Sequence, residues 1–211
     1  MAEEIRPVPA PIADPAPLGL AAFALTTFLL SAANANWMGA ATGSAWLGYA
    51  LAYGGGVQLL AGMWEFRNRN VFGATAFSTY GGFWIGLFLW VQFVAPHAAS
   101  ASAADHDLGW ILLAFAIFNT YMLILSTQVN LAVFGVFLTL EITEIVLFIG
   151  NFEGNSSIVH VGGYIGVLTA VVAWYTSAAG VSNGIGGRIK FPVGRPLVSA
   201  SAPEPAQAVN V

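Results

Sequence analysis

The chain has 211 residues, of which 57% are hydrophobic and 8% are charged, and its formal net charge is −4 at pH 7. Soluble domains carry about a quarter of charged residues, so this composition excludes an ordinary soluble protein and predicts an integral membrane protein. Because the chain contains no cysteine, a disulfide framework and a thiolate metal site are also excluded.

Six windows are apolar and long enough to cross a hydrocarbon core about 30 Å thick, which takes roughly 20 residues of α-helix. They lie at residues 15–34, 45–64, 71–95, 108–127, 130–150 and 158–180. The predicted fold is therefore an all-α integral membrane protein with six transmembrane helices. A disordered cytoplasmic head at 1–13 precedes the transmembrane domain at 14–185, and a basic, then disordered, cytoplasmic tail follows at 186–211.

The positions of the cations predict the topology. They occur in the head, in the loop between the second and third windows, and in the tail. With six spans these three places share one side, which the positive-inside rule assigns to the cytoplasm. Both termini are thus predicted to be cytoplasmic, in an inner (plasma) membrane. The cations are Arg6, Arg67, Arg69, Arg188, Lys190 and Arg195.

The first window opens after Asp14 and Pro15, a suitable N-cap followed by a residue that needs no N–H donor in the first helical turn. The second window contains three consecutive glycines, 54–56, followed by Gln58. Glycines lower helix propensity but permit the close approach of a neighbouring backbone.

The third window carries two stripes at helical spacing. Phe77, Tyr80 and Trp84 form an aromatic stripe, and small or polar residues form a second one. The first stripe has two interpretations, core packing or the lining of a path. The second stripe consists of Thr75, Ser78, Thr79, Gly82 and Gly86.

The later windows contain polar groups at membrane depth, where such groups are costly and often functional. They are Asn119 and Tyr121 in the fourth window, Glu141 and Glu144 in the fifth, and His160 at the start of the sixth. The loop at 96–107 is polar, and its two histidines lack the spacing of a metal site.

Two pairs of short segments resemble each other. AFALTT after Leu18 and Gly19 is similar to AFAIFNT after Leu108 and Gly109, and YGGFWIG (80–86) is similar to VGGYIG (161–166). Repeats three helices apart run in opposite orientations, which predicts a 3+3 inverted repeat with the path between the halves.

The sequence contains no enzyme motif: HExxH, GxSxG and P-loop patterns are absent, and no lysine lies inside a window. It therefore predicts a protein that is not an enzyme. No cofactor, metal or nucleic acid partner is expected.

Three blocks of the sequence are DPAPLGL (14–20), YGGGVQLLAGMWEFRNRNVFGATAFSTYGGFW (53–84) and IGNFEGNSSIVHVGGYIG (149–166). They resemble the acetate uptake transporter family, the bacterial acetate/succinate permeases and fungal acetate and ammonia-export proteins. Asp14 stands where the family signature NPAPLGL has Asn, and both residues are good N-caps. The likeness extends over all six windows.

The resemblance implies six helices per subunit, a homohexamer, and a narrow path through each subunit. It also implies a hydrophobic constriction at Phe23, Tyr80 and Leu140. Counted from the estimated helix starts, these residues lie about 12–15 Å along their helices, which puts them at one depth near the midplane. Such a ring would exclude water and gate by dewetting.

The polar side chains available to a carboxylate along this path are Gln58, Thr26, Thr27, Thr75, Thr79 and Asn34. Their alternative role is hydrogen bonding between helices, which is worth roughly 0.6 kcal/mol per contact in membranes.

Glu141 and Glu144 depart from the family pattern. A charged acid at the centre of a helix costs about 2.5–3.5 kcal/mol, so each is predicted to be protonated or paired. Glu144 lies one helical turn from Leu140 and should border the path, whereas Glu141 points about 100° away, toward a neighbouring helix or subunit. One hypothesis is that Glu144 carries a proton with a weak acid, and the alternative is a neutral carboxyl at an interface. His160 is a third candidate for proton linkage.

The sequence therefore predicts a proton-linked transporter or channel for acetate and similar small monocarboxylates, with succinate as a further substrate. Two alternatives stay open, a six-helix urea or amide channel and a non-conducting membrane sensor or assembly protein. The expected partners are a small carboxylate, the lipid bilayer and other copies of the chain.

Overall fold

The fold is described from a computed structural model, which covers residues 12–38 and 44–198. Most of the predicted head at 1–13 and the last part of the predicted tail, residues 199–211, lie outside the described residues. Within the described ranges the secondary structure is helical and contains no β-strand.

The described part of the chain contains seven α-helices, named in chain order. They are α1 (Ala16–Asn34), α2 (Trp46–Tyr49), α3 (Gln58–Arg67), α4 (Val71–Leu89), α5 (Ala101–Ser126), α6 (Leu131–Phe152) and α7 (Ser156–Gly184). A π-helical segment, Ala50–Val57, joins α2 to α3 without a break. A second π-helical segment, Trp90–Val94, and a 3₁₀ turn, Ala95–His97, extend α4.

Five helical stretches of the described chain are long and apolar enough to cross a membrane. The predicted window at 45–64 differs, because α2, the π-helical segment and α3 divide it into pieces that are each too short. The structure thus defines a multi-pass, all-α membrane protein with five candidate spans. The five stretches are Ala16–Asn34, Val71–His97, Ala101–Ser126, Leu131–Phe152 and Ser156–Gly184.

Side chains that precede the helices determine where several of them begin. Asn70 Oδ1 accepts a hydrogen bond from Gly73 N–H at 3.1 Å, and Ser100 Oγ accepts one from Ala103 N–H at 3.1 Å. The prediction of a polar loop at 96–107 is therefore wrong in its second half. An alanine-rich stretch behind a serine cap favours a helix, and α5 begins at Ala101 rather than at 108.

The π-helical segment packs closely on α1 and α4 through its glycines. A Cβ atom on Gly54 would lie 2.6 Å from Thr26 Oγ1, and one on Gly55 would lie 2.6 Å from Ile85 Cγ1. Both distances are below van der Waals contact, so only glycine permits this approach.

The two similar glycine motifs make similar contacts. A Cβ atom on Gly81 of α4 would lie 2.7 Å from Leu59 N of α3, and one on Gly162 of α7 would lie 2.6 Å from Leu147 Cδ2 of α6. In each motif, the first glycine therefore packs against the helix that precedes it in the chain.

The bundle is closed by α1, which packs against α7, while α6 packs against both α5 and α7. Ser177 Oγ donates a hydrogen bond to Pro17 O at 2.6 Å, which joins the start of α1 to the end of α7. Arg67, Arg69 and Arg188 lie at this end, which we call the arginine end. Helices α1, α4 and α6 begin there and run to the opposite end.

Part of the predicted disordered tail lies within the described residues and contacts the arginine end. Tyr175 Oη donates to Pro192 O at 2.6 Å. The backbone N–H groups of Leu197 and Val198 donate to Thr127 O at 2.8 and 3.1 Å. These bonds connect residues 191–198 to α7 and to the turn between α5 and α6.

Candidate functional site

Phe23 of α1, Tyr80 of α4 and Leu140 of α6 belong to one buried cluster. Their side chains are 5%, 3% and 7% exposed, respectively. The rings of Phe23 and Tyr80 meet edge to face, with centroids 5.9 Å apart. The structure thus brings together the three residues that the family resemblance assigns to a constriction, and we call them the ring.

Cavities lie on both sides of the ring. The arginine-end cavity, about 250 Å³, and the middle cavity, about 40 Å³, have only the three ring residues in common. A third cavity of about 460 Å³ at the opposite end adjoins the middle cavity, with which it shares Leu30, Asn34, Leu112 and Leu147. The cavities therefore follow one another along the bundle, with the ring between the first two.

The hydroxyl group of Tyr80 lies within a network that links α4, α5 and α6. Its oxygen is 2.9 Å from Asn119 Oδ1 and 3.3 Å from Glu144 Oε1. Asn119 Nδ2 donates to Phe137 O at 2.9 Å and to Glu141 Oε2 at 2.7 Å. Both amide hydrogens of Asn119 are used in this way, so its oxygen accepts the single proton of Tyr80.

Glu144 is 4% exposed and lines the middle cavity. The Tyr80 hydroxyl has one proton and its shorter contact is with Asn119 Oδ1, so a neutral Glu144 can donate its own proton to the Tyr80 oxygen across the 3.3 Å contact. Burial without a cationic partner favours the neutral form of this carboxyl group. The second oxygen, Glu144 Oε2, is buried and has no hydrogen-bond partner.

Glu141 faces α5 rather than the cavities. Its Oε1 accepts from Thr120 Oγ1 at 2.7 Å, and its Oε2 accepts from Asn119. The side chain is half-buried. Its hydrogen-bonded connection to the ring runs through Asn119, which in turn bonds to Tyr80.

Three of the predicted polar path residues line the cavities. Gln58 lines the arginine-end cavity, Thr27 lines the middle cavity, and Asn34 lines the middle and opposite-end cavities. Gln58 Oε1 and Thr27 Oγ1 are buried and have no hydrogen-bond partner. Each of these two residues therefore offers an unused polar atom beside the ring.

The other three predicted path residues, Thr26, Thr75 and Thr79, do not line these cavities. Thr26 Oγ1 donates to Ala22 O at 3.0 Å and packs on the π-helical segment. Thr75 lies in a surface groove with Tyr121, and Thr79 is half-buried. His160 lines a recess at the opposite end of the bundle, which adjoins the opposite-end cavity and does not reach the ring.

The sequence patterns predict no specific transport role for Asn119 or Trp84. Asn119 could have been found, because a buried amide inside a membrane span indicates a specific partner. Trp84 was placed on the aromatic stripe, but nothing in the sequence reveals that its Nε1 would be buried without a partner beside the middle cavity.

The fold and the site define a multi-pass α-helical membrane protein with cavities on both sides of a buried, mainly apolar ring. Comparison with known sequences shows that the chain belongs to the GPR1/FUN34/yaaH family, whose model matches residues 2–194. The residues matched include every helix described above.

Several characterised proteins are similar to the chain. Acetate permease A of Emericella nidulans is 38% identical, over 86% of this chain and 65% of that protein. Ammonia transport outward protein 2 of Saccharomyces cerevisiae is also 38% identical, over 83% of this chain and 64% of that protein. The succinate-acetate/proton symporter SatP of Escherichia coli K12 is 34% identical, over 87% of this chain and 96% of that protein.

The chain spans about two thirds of the length of the fungal relatives, 64% in the case of ammonia transport outward protein 2. Among solved structures, the bacterial acetate channel SatP matches with a TM-score of 0.80 and 33% identity. That match covers 87% of this chain and 99% of the channel chain.

Proposed function

We propose that the protein is a proton-linked membrane transporter or channel for acetate and similar small monocarboxylates, with succinate as a further substrate. The observation that carries the proposal is that the arginine-end and middle cavities meet only at Phe23, Tyr80 and Leu140. A small acid passing from one cavity to the other has to cross this ring, which strips water from it. The names of the acetate permease, symporter and channel relatives support this substrate class.

Proton linkage follows from the apolar character of the ring. An ionised carboxylate that leaves water without a cationic partner pays a large desolvation cost, whereas the neutral acid pays far less. A proton therefore accompanies each acid across the ring. Of the three candidates for proton linkage, Glu144 is the one that contacts Tyr80, whereas Glu141 and His160 lie away from the cavities beside the ring.

The proposal includes six membrane crossings in the transmembrane domain at 14–185, with both termini in the cytoplasm and the protein in the plasma membrane. The second crossing is the unbroken helical run at 46–67, roughly 30 Å long and sufficient to span the hydrocarbon core. The cations at the arginine end support the orientation. The matching contacts of Gly81 and Gly162 support a 3+3 inverted repeat.

Assembly as a homohexamer also forms part of the proposal, and it rests on the resemblance to the acetate uptake transporters. Cross-linking of the protein in native membranes, followed by mass measurement of the purified assembly, tests this component independently of transport.

Flux measurements in proteoliposomes test the function. Liposomes that contain the protein and an internal pH indicator are exposed to an inward acetate gradient, and protein-free liposomes give the background due to passive diffusion. We expect internal acidification to be faster with the protein. Urea flux without faster acidification would identify an amide channel instead, and a protein that conducts neither would be a sensor or assembly protein.

A further inference from the structure

The middle cavity has three buried polar atoms that no protein group satisfies. Thr27 Oγ1, Trp84 Nε1 and Glu144 Oε2 each lack a hydrogen-bond partner, and all three residues line this cavity. Buried polar groups are rarely left unpaired, because each one costs about 1–3 kcal/mol. Three in one small cavity, contributed by α1, α4 and α6, therefore indicate a place for a ligand.

The three atoms differ in hydrogen-bonding character. Trp84 Nε1 can only donate, and Thr27 Oγ1 can donate or accept. A neutral Glu144 whose proton lies on Oε1, toward Tyr80, leaves Oε2 as an acceptor. The cavity thus offers a donor at Trp84, a donor or acceptor at Thr27 and an acceptor at Glu144.

This pattern matches an undissociated carboxylic acid. Such a molecule has one O–H donor, which suits Glu144 Oε2, and one C=O acceptor, which suits Trp84 Nε1 or Thr27 Oγ1. A carboxylate anion has no donor, so it would place a negative charge against a bare oxygen. The cavity, about 40 Å³, has room for roughly three water-sized groups, which suits an acid of about four non-hydrogen atoms.

The charges around the cavity favour the neutral form as well. Lysine, arginine and histidine are absent from its described lining, and Glu144 is its only ionisable acid apart from the Tyr80 phenol. The second carboxyl nearby, Glu141, is on the same helix and faces α5. From α1 the cavity receives only uncharged side chains, and none of its lining residues comes from α7.

We propose that the middle cavity is a binding site for a small neutral carboxylic acid, in which Glu144 accepts the substrate proton in a hydrogen bond and remains neutral itself. The proposal rests on the proposed transport function. It assigns the transported proton to the substrate, so Glu144 recognises the acid and does not shuttle a proton across the membrane.

Two substitutions at Glu144 separate recognition from proton carriage. Glu144→Gln keeps a carbonyl acceptor and cannot ionise, whereas Glu144→Leu removes the acceptor. We expect acetate-driven acidification by Glu144→Gln to stay within about twofold of wild type, and that by Glu144→Leu to fall about tenfold, the effect of one lost buried hydrogen bond. Glu153→Leu, at an exposed position after α6, is the matched control. Equal losses in Glu144→Gln and Glu144→Leu would overturn the proposal.

A binding measurement tests the site even if the protein conducts nothing. Acetamide is a neutral isostere of acetic acid with N–H in place of O–H, so it should raise the melting temperature of purified wild-type protein and Glu144→Gln but not of Glu144→Leu. Acetate in alkaline buffer, where it is ionised, should stabilise less. Stabilisation by ionised acetate without stabilisation by acetamide contradicts neutral-acid recognition.

Thr27 provides an independent variant with little risk to folding. Thr27→Val keeps the shape of the side chain and removes its hydroxyl group, and it should weaken acetamide binding several-fold, up to about tenfold. Thr139→Val is the matched control, because Thr139 Oγ1 bonds only to the backbone of its own helix and does not line the cavity. Equal acetamide binding by both variants would remove Thr27 from the site. Absence of acetate flux in wild type, with acetamide binding intact, would reject the transport function and leave the binding site standing.

Discussion

The Tyr80 hydroxyl donates to Asn119 Oδ1 at 2.9 Å and thereby joins α4 to α5 at the level of the ring. These two helices meet mainly through side chains, including the edge-to-face pairs of Tyr80 with Phe118 and of Phe83 with Phe115. Since Asn119 also bonds to Phe137 O and Glu141, one amide fixes the orientation of a ring residue relative to α6.

Replacement of Asn119 should destabilise the bundle. Asn119→Leu removes one hydrogen-bond partner from the Tyr80 hydroxyl, the Phe137 carbonyl and a carboxyl oxygen of Glu141, which lowers the free energy of unfolding by roughly 1–3 kcal/mol. Denaturation in detergent micelles followed by circular dichroism measures this change. Gln128→Leu, an exposed position in the turn after α5, serves as the control and should leave stability unchanged. Equal stability of Asn119→Leu and wild type would mean that the network contributes little.

The size of the Tyr80 side chain should determine which acids pass the ring. Tyr80→Ala opens a gap beside Phe23 and Leu140, so the flux of propionate relative to acetate should rise by about tenfold, the discrimination that a close-fitting apolar site provides per methylene. Tyr80→Phe keeps the aromatic side chain, so it should keep the wild-type ratio of the two fluxes. Acidification rates for a series of acids in proteoliposomes provide the measurement. An unchanged ratio in Tyr80→Ala would show that the constriction lies elsewhere.

Two adjacent glycines of α4 should respond differently to alanine. A Cβ atom on Gly81 meets the backbone of Leu59 at 2.7 Å, whereas one on Gly82 meets no atom within 4 Å. Gly81→Ala should therefore force α3 and α4 apart and lower the free energy of unfolding by about 1–3 kcal/mol. Gly82→Ala should be neutral or stabilising by up to about 1 kcal/mol. Thermal melts of the two variants compare their stabilities. A larger loss of stability in Gly82→Ala than in Gly81→Ala would contradict the close packing of α3 on Gly81.

The tail should protect the first turn of α6 from hydrogen exchange. Ala132 N–H has no acceptor within its own helix at that position and donates instead to Val193 O at 2.9 Å. Deletion of residues 187–211 should therefore speed exchange of this amide about tenfold, the consequence of one lost hydrogen bond. Hydrogen–deuterium exchange of the peptide at 129–134 measures the effect. Deletion of residues 199–211 alone is the control, and similar exchange in both truncations would refute the protection.

The sequence was sufficient to predict where most helices lie, because length and hydropathy alone decide whether a segment can cross a membrane. It failed at Ala101, where a serine cap and an alanine-rich stretch extend α5 into a segment that composition marks as a polar loop. It also missed the division of residues 46–67, since π-helical turns arise from tertiary packing on α1 and α4 and have no hydropathy signature.

The candidate site was predictable only in part. Family motifs and helix depth selected Phe23, Tyr80 and Leu140, which the structure gathers in one cluster. Helical periodicity, however, gives the direction of a side chain only relative to its own helix. It could not tell that Thr26 faces the π-helical segment while Thr27 faces the middle cavity, because that distinction depends on where the other helices pack.

The π-helical segment Ala50–Val57 also sets the rotational phase of α3. A π-helical turn holds about one residue more than an α-helical turn, so converting one such turn to α-helical geometry at constant chain length would rotate Gln58–Arg67 by about 100°. Gln58 would then turn away from the arginine-end cavity, and Gly62 would turn away from Ser78 of α4. A change of helix geometry within Ala50–Val57 would thus reposition an entire face of α3 without altering any residue of that face.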